Sequence, residues 1–397
     1  PRRGACIGSF TDIREEPEFS KAGRAIEAEI QWVSSNEYMT TTTTQPNIAG
    51  NADLLVALQQ GLPITRRPFA ALGDRAGMTE ADVIAGVQRL FDDGQARRLG
   101  AVFDLHRLGY RSTLCAVDVP PDAVQDVVPE LVRHPGITHC YERGWPAELA
   151  RDSGCAGEER SVPNIWFTLA VRTAVFDSDL EALRERLKPY QLLSLPSIQR
   201  FKVSVVFDPR RQQRRESGVC PGAPLCGDSG GFVPRFNERE KRAIRLLQGN
   251  LPLTEALFDS VADQAGYDAD ELIAEMQAWD KRGILRRVGI ILHHRKAGFK
   301  ANGMCVWNVP DGHATTAGRT LTAFPEVTHC YQRETVPGFD YNLYAMIHGT
   351  DWEETIGMFH RLSRAAGLHE GRILFSLREF KKTSPRYFCE DKAGAGD

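Results

Sequence analysis

The chain has 397 residues, 42% of them hydrophobic and 25% charged, and a net charge of −3. That length suggests two or three domains, and the composition excludes collagen-like, coiled-coil and wholly disordered classes. No apolar run approaches the roughly 20 residues of a membrane span, and the near-neutral charge gives no basic surface for nucleic acid.

Nine cysteines stand at odd count with no CxxC spacing, so reduced thiols in a cytoplasmic protein are expected rather than disulfides or structural zinc. Residues 1–38 precede the first methionine, Met39. They belong to an expected disordered N-terminal extension, 1–49, outside the fold.

Past this extension the chain repeats itself at an offset near 190 residues. Arg97-Arg98-Leu99-Gly100 returns as Arg286-Arg287-Val288-Gly289, and Thr138-His139-Cys140-Tyr141 as Thr328-His329-Cys330-Tyr331. Arg143 and Arg333 follow two positions on, and Phe201-Lys202 returns as Phe380-Lys381. A period this long means two homologous modules packed about a pseudo-two-fold axis, as an isologous dimer would be.

Each module begins with three short helical patterns. They cover 53–60, 69–76 and 79–93 in the first, and 238–248, 257–265 and 269–282 in the second. Thr79 followed by Asp82 is a helix-start signal. A hydrophobic strand follows each set, at 96–103 and 284–292, as the wing hairpin of a winged helix-turn-helix.

The remainder alternates strand and helix. The first module predicts strands at 113–119, 137–142, 165–171 and 199–207, with helices at 123–133 and 180–187. The second predicts strands at 304–309, 327–332, 343–347 and 372–381, with helices at 314–322 and 352–365. This βαββαβ order is a ferredoxin-like sandwich, so the fold class is α+β, two tandem copies of winged helix-turn-helix plus ferredoxin-like domain. The expected boundaries are 50–104 and 105–208, a linker at 209–232, then 233–292, 293–388 and a tail at 389–397. An insertion from Gly144 to Arg160 reads as a surface loop of the first module.

The helices that would enter a DNA groove are acidic. Residues 79–94 and 268–283 each carry a net charge of −3, which phosphates repel. The basic groups sit on the strands behind them, as Arg97, Arg98, Arg286 and Arg287. Alternation along a strand lets one arginine of each pair face the sandwich, where a guanidinium can grip carboxylates. Such pairs are more often solvated surface charge, but here the pair recurs.

His139 and His329 occupy equivalent strand positions, His293 and His294 adjoin the second wing, and Lys296 follows. No metal-ligand spacing appears among them. His329 with Tyr331, Arg333, Tyr341 and His348 forms a polar-aromatic set suited to a flat polycarboxylate.

The runs HHRKAGFKANGMCVWNVP at 293–310, FPEVTHCYQRETVPGFDYNLYAMIHG at 324–349 and LREFKKTSPRYF at 377–388 resemble siroheme decarboxylases. These are enzymes related to Lrp/AsnC regulators, and the two-module chain resembles a fused form from haem d1 biosynthesis. The resemblance covers about residues 50–388. It implies loss of the C12 and C18 acetate carboxylates of siroheme, giving didecarboxysiroheme, with no cofactor beyond the substrate's own iron. Arginines would hold spectator carboxylates, and His329, with Tyr331 or His294, would donate the proton. Ligation of the substrate iron by His329 or His294 is the open alternative. The first module departs from the pattern, with Ala170 where His348 falls and Leu105 opposite His294, so activity is expected in the second module's pocket. The implied partners are siroheme and its products, with neither DNA nor membrane, and the chain could pair with itself or with other haem d1 proteins. A ligand-responsive regulator and a non-catalytic tetrapyrrole carrier are the competing readings.

Overall fold

A computed structural model describes residues 52–146, 149, 162–203, 235–292, 301–310 and 312–389. The extension at 1–49, the linker at 209–232 and the tip of the 144–160 insertion lie outside the described residues. No described helix is long and apolar enough to cross a membrane.

The first helical set is α1 (Ala52–Gln60), α2 (Pro68–Ala76) and α3 (Glu80–Asp92). Proline at the start of α2 loses no hydrogen bond there, and Gly77 ends that helix in the left-handed conformation. Thr79 caps α3 by accepting from the Asp82 amide. After the strands and helices of the first sandwich, the second set follows as α6 (Glu238–Leu247), α7 (Asp259–Ala265) and α8 (Ala269–Lys281). Asn237 and Glu240 form a reciprocal capping box at α6. The first turn of each groove-type helix is engaged by a neighbouring arginine of its own chain. Arg67 binds Glu80, and Arg239 binds Glu271.

The wings depart from expectation. Each module supplies one strand, β1 (Ala96–Phe103) or β7 (Leu285–Leu292), and the two pair antiparallel with each other across the modules. Each also docks on the opposite helical set. Leu62 donates its amide to Val288 O at 2.7 Å, and Leu251 donates to Leu99 O at 2.8 Å. Gly100 and Gly289 permit this approach. A Cβ would stand 2.3 Å from Gly249 O at the first and 2.6 Å from Leu58 O at the second. One apolar core therefore fills both helical sets.

The first sandwich runs β2 (Tyr110–Val117), α4 (Val124–Arg133), β3 (Ile137–Gly144), β4 (Ile165–Arg172), α5 (Phe176–Arg186), β5 (Leu192–Leu195) and β6 (Ser197–Val203). The second runs β8 (Ala301–Trp307), α9 (Ala314–Thr322), β9 (Val327–Arg333), β10 (Leu343–Gly349), α10 (Trp352–Ala365) and β11 (Gly371–Lys382). The described sheet has nine strands in the order β5-β2-β4-β3-β11-β8-β10-β9-β6.

This order contains a strand exchange. The last strand of each sandwich begins in its own sheet and ends in the other. β11 pairs with β8 over 371–375 and with β3 over 375–382. On the other side β5 pairs with β2, and β6 pairs with β9. Pro196 separates β5 from β6, since a residue without an N–H breaks the ladder where the chain changes sheets. Lysines fix the crossing. Lys381 donates to Val132 O and His134 O at the end of α4, at 2.7 and 2.9 Å. Lys202 donates to Thr322 O and Phe324 O at the end of α9, at 3.2 and 2.9 Å. A cation at a helix C-terminus offsets its unpaired carbonyls.

Alternation then sorts the side chains. Cys115, Cys140, Phe167 and Leu169 face α4 and α5 in one core. Cys305, Trp307, Cys330 and Ala345 face α9 and α10 in another. Burying a side chain such as Phe167 contributes about 1.5–3 kcal/mol. The opposite faces of the two sheets meet each other. A third cluster, including Ala116, Trp166, Leu195, Val306, Tyr344 and Leu374, fills one end of the space between them.

Candidate active site

The other end of that space is a cavity of about 810 Å³ lined from both modules, within the range of small-molecule sites. The sequence led us to expect a pocket in each module with the second active. Instead His139, Tyr141 and Arg143 on β3 and His329, Tyr331 and Arg333 on β9 line the same cavity. The i, i+2, i+4 spacing places each trio on one face of its strand.

The two trios have matching geometry. The His139 and Tyr141 rings stack at 6.3 Å and 30°, and those of His329 and Tyr331 at 6.3 Å and 17°. Each arginine lies 5.0 Å from its tyrosine ring, a cation–π distance. Each histidine points Nδ1 at the preceding threonine, His139 to Thr138 at 2.9 Å and His329 to Thr328 at 3.1 Å. That leaves Nε2 for the cavity.

Electrostatics mark the cavity as a receptor for anions. Among the described residues no carboxylate meets Arg143 or Arg333. Arg143 donates to Leu374 O at 3.5 Å, and Arg333 to Leu195 O at 2.7 Å. Burial lowers both guanidinium pKa values, Arg143 to about 10, and a guanidinium keeps its charge in proteins. Arg333 Nε, Asn302 Oδ1 and Ser376 Oγ are buried without a hydrogen-bond partner in the structure, and all three residues line the cavity. Buried polar atoms ordinarily have partners, so these are positioned for a guest. Burial also pushes His139 and His329 down to about 4, with Lys382, Arg97, His329 and Arg143 adding to the effect at His139. Tyr331 is raised by burial, against the pull of Arg333, Arg200 and Arg286.

His348, on β10, lines the cavity beside Thr328, its Nε2 3.1 Å from Thr328 Oγ1. The register places Ala170 in the corresponding position. Ala170 pairs with Ser112, and His348 pairs with Asn302. Tyr341 does not line the cavity. Its ring packs 5.0 Å from Phe339, and its carbonyl accepts from the Tyr344 hydroxyl. Tyr344 occupies the cavity wall instead.

The four wing arginines are absent from the lining. Arg286 is held by Asp104, Arg287 by the carbonyl of Gln59 and Arg97 by Ser384 Oγ at 2.5 Å. Arg98 is largely buried, and burial with nearby Arg97 and Arg386 lowers it to about 10. Arg97 and Arg286 lie near enough to bear on His139 and Tyr331, but protein groups engage both. His293, His294 and Lys296 lie outside the described residues. Sequence reasoning passed over Tyr141, Arg143, Arg111 and Arg200, all of which line the cavity. The repeat itself marked Tyr141 and Arg143.

Comparison with known proteins identifies the two kinds of domain. A model of the AsnC-like ligand binding domain matches residues 107–202 and 296–381. A model of the siroheme decarboxylase NirDL-like HTH domain matches 51–97 and 240–286. The chain is 34% identical over 345 residues to a siroheme decarboxylase of Hydrogenobacter thermophilus, covering 85% of this chain and 95% of that one. A single-module relative, the siroheme decarboxylase NirL subunit of Stutzerimonas stutzeri, is 38% identical over 156 residues, 38% of this chain and 92% of that one. The crystal structure of the siroheme decarboxylase NirDL in co-complex with an iron-uroporphyrin III analogue superposes with a TM-score of 0.64 at 29% identity, covering 85% of this chain and 95% of that one. With matching domains in both modules and a relative aligned across nearly its whole length, the chain belongs to the siroheme decarboxylase family.

Proposed function

We propose that this chain converts siroheme to 12,18-didecarboxysiroheme, a step of haem d1 biosynthesis, in the cavity between its two modules. The observation that carries this reading is the pair of arginines lining the cavity, Arg143 buried and Arg333 part-buried, with no carboxylate among the described residues on either. Siroheme is a flat macrocycle with a rim of carboxylates. Guanidinium groups on two opposed strands suit spectator carboxylates, and the tyrosine and histidine rings suit the flanks.

The chain's residues bind, orient and supply a proton. Held carboxylates fix the ring, so the reacting acetate meets a placed donor rather than a diffusing one. The C–C bond to the carboxylate breaks and carbon dioxide leaves. The electron pair stays on the methylene carbon, shared with the pyrrole ring, and a proton from His329 Nε2 completes the methyl group. Tyr331 stands beside His329 as the second candidate donor. His294, His293 and Lys296 are carried as candidates on sequence position alone, in the segment that joins β7 to β8. Iron belongs to the substrate.

The test is anaerobic incubation of the purified protein with siroheme, followed by mass spectrometry. Loss of two carbon dioxide units is expected. Siroheme recovered unchanged would overturn the reading, and tight binding without conversion would make the chain a carrier.

A further inference from the structure

The two trios match, but their surroundings differ at one junction. Thr328 Oγ1 has three polar neighbours: His329 Nδ1 at 3.1 Å, His348 Nε2 at 3.1 Å and the carbonyl of Met346 at 3.3 Å. A hydroxyl carries one proton and two lone pairs. It can donate to one of these neighbours at a time, so at least one imidazole must donate to it. The protonation patterns of His329 and His348 are therefore tied together through one oxygen.

The direction of that single proton decides what the cavity meets. When the hydroxyl donates to the Met346 carbonyl, both imidazoles donate to Oγ1, and His329 Nε2 is bare. When it donates to His329 Nδ1, His329 carries its proton on Nε2, and His348 donates to Oγ1. Both arrangements keep the two 3.1 Å contacts, and the second gives up only the longest, to the Met346 carbonyl at 3.3 Å. In the first module Thr138 meets His139 at 2.9 Å, but the position of His348 is taken by Ala170. Nothing equivalent to His348 orients the Thr138 hydroxyl from β4.

We infer that Thr328 is a one-proton junction through which His348 sets the tautomer of His329 and keeps it neutral during transfer by supplying a proton to Nδ1. Thr328 and His348 are thus positioning residues for the decarboxylation, and this inference rests on the reading of His329 as proton donor. The step balances. His329 gives its Nε2 proton to the methylene carbon and takes the Thr328 proton at Nδ1, while Thr328 takes the Nε2 proton of doubly protonated His348. A solvent proton entering at His329 Nε2 then drives both shifts back, from His329 Nδ1 to Thr328 and from Thr328 to His348 Nε2. One proton is consumed for each carbon dioxide released.

The test compares wild type, Thr328→Val, Thr328→Ser, His348→Ala and the double variant Thr328→Val/His348→Ala in anaerobic siroheme turnover. Thr328→Val is expected to lower kcat roughly tenfold to a hundredfold, part of the ~10²–10⁴ that a placed proton donor contributes, with KM nearly unchanged. Thr328→Ser keeps the hydroxyl and should restore most of the rate. His348→Ala should match Thr328→Val, and the double variant should be no worse than either, because one chain of groups is cut once. Wild-type kcat in Thr328→Val, or losses that multiply in the double variant, would overturn the junction. Should Thr328→Val fail to bind siroheme, His348→Ala decides alone, and an unchanged kcat there overturns the proposal. A wild-type protein that leaves siroheme unconverted would instead overturn the decarboxylase reading itself.

Discussion

Arg333 stands with its guanidinium carbon 5.0 Å from the ring of Tyr331 and meets no carboxylate among the described residues. A buried cation without a counter-ion is costly to a fold, and replacing it by a packed apolar residue is often neutral or stabilising. Arg333→Met removes that cost but orphans the Leu195 carbonyl, so folding stability should shift by no more than about 1 kcal/mol. Siroheme affinity should weaken by about 2–5 kcal/mol, the usual loss when one partner of a buried charge pair is truncated. Thermal melting of the apoprotein and a spectroscopic binding titration check the two halves of this prediction. Unaltered binding would remove Arg333 from the carboxylate-holding set.

His139 and His329 are held near 4 by burial, below the ordinary value of about 6.5. The unfolded chain therefore binds more protons than the fold between those values. Their contribution to stability is complete above about pH 6.5 and is lost as pH falls toward 4. Urea unfolding of the apoprotein across this range should show the decline, with a shallower slope in His329→Asn and His139→Asn. Slopes identical to wild type would show that these histidines are not held neutral.

Lys202 and Lys381 each cap a helix of the opposite module. Replacing either by methionine keeps most of the aliphatic stem and removes the charge. Each change should cost about 1 kcal/mol, from the lost hydrogen bonds and the lost favourable charge at the helix end. The two costs should add, because the sites share no partner. Chemical denaturation of the single and double variants reads this directly.

Glycine substitutions should divide by surroundings. At Gly100 an added methyl meets the Gly249 carbonyl, and at Gly289 the Leu58 carbonyl. Alanine at either should destabilise by roughly 1–3 kcal/mol through overpacking against backbone. Gly357 lies within α10 and has open space where its Cβ would be. Alanine there should stabilise by about 0.5–1 kcal/mol. A melting-temperature comparison of the three variants separates the cases.

Much of the fold was legible because helix and strand periodicities survive in both modules. The two copies support each other wherever one is ambiguous. The apolar run identified 96–103 as a strand but carried no information on its partner, which proved to be β7 of the other module. The short strand β5 and the start of α5 at Phe176, four residues ahead of the expected 180, were missed. Both depend on contacts made only in the folded state. For the site, the repeated His-x-Tyr-x-Arg pattern falls on two strands that line one cavity, since recurrence at i+2 keeps side chains on one face. The wing arginines do not line the cavity, and sequence does not show that Asp104 and the Gln59 carbonyl engage two of them.

The exchange of terminal strands also bears on why the modules share a chain. Neither sheet is complete without a strand from the other module, so two separate polypeptides would have to find each other, in equal amounts, before the cavity existed. Their assembly would weaken on dilution. Tethering makes the encounter intramolecular, sets an effective local concentration independent of expression level and fixes the ratio at one to one. The single-module NirL subunit of Stutzerimonas stutzeri is a relative without that tether. The fused chain should hold its activity at protein concentrations low enough to separate such subunits.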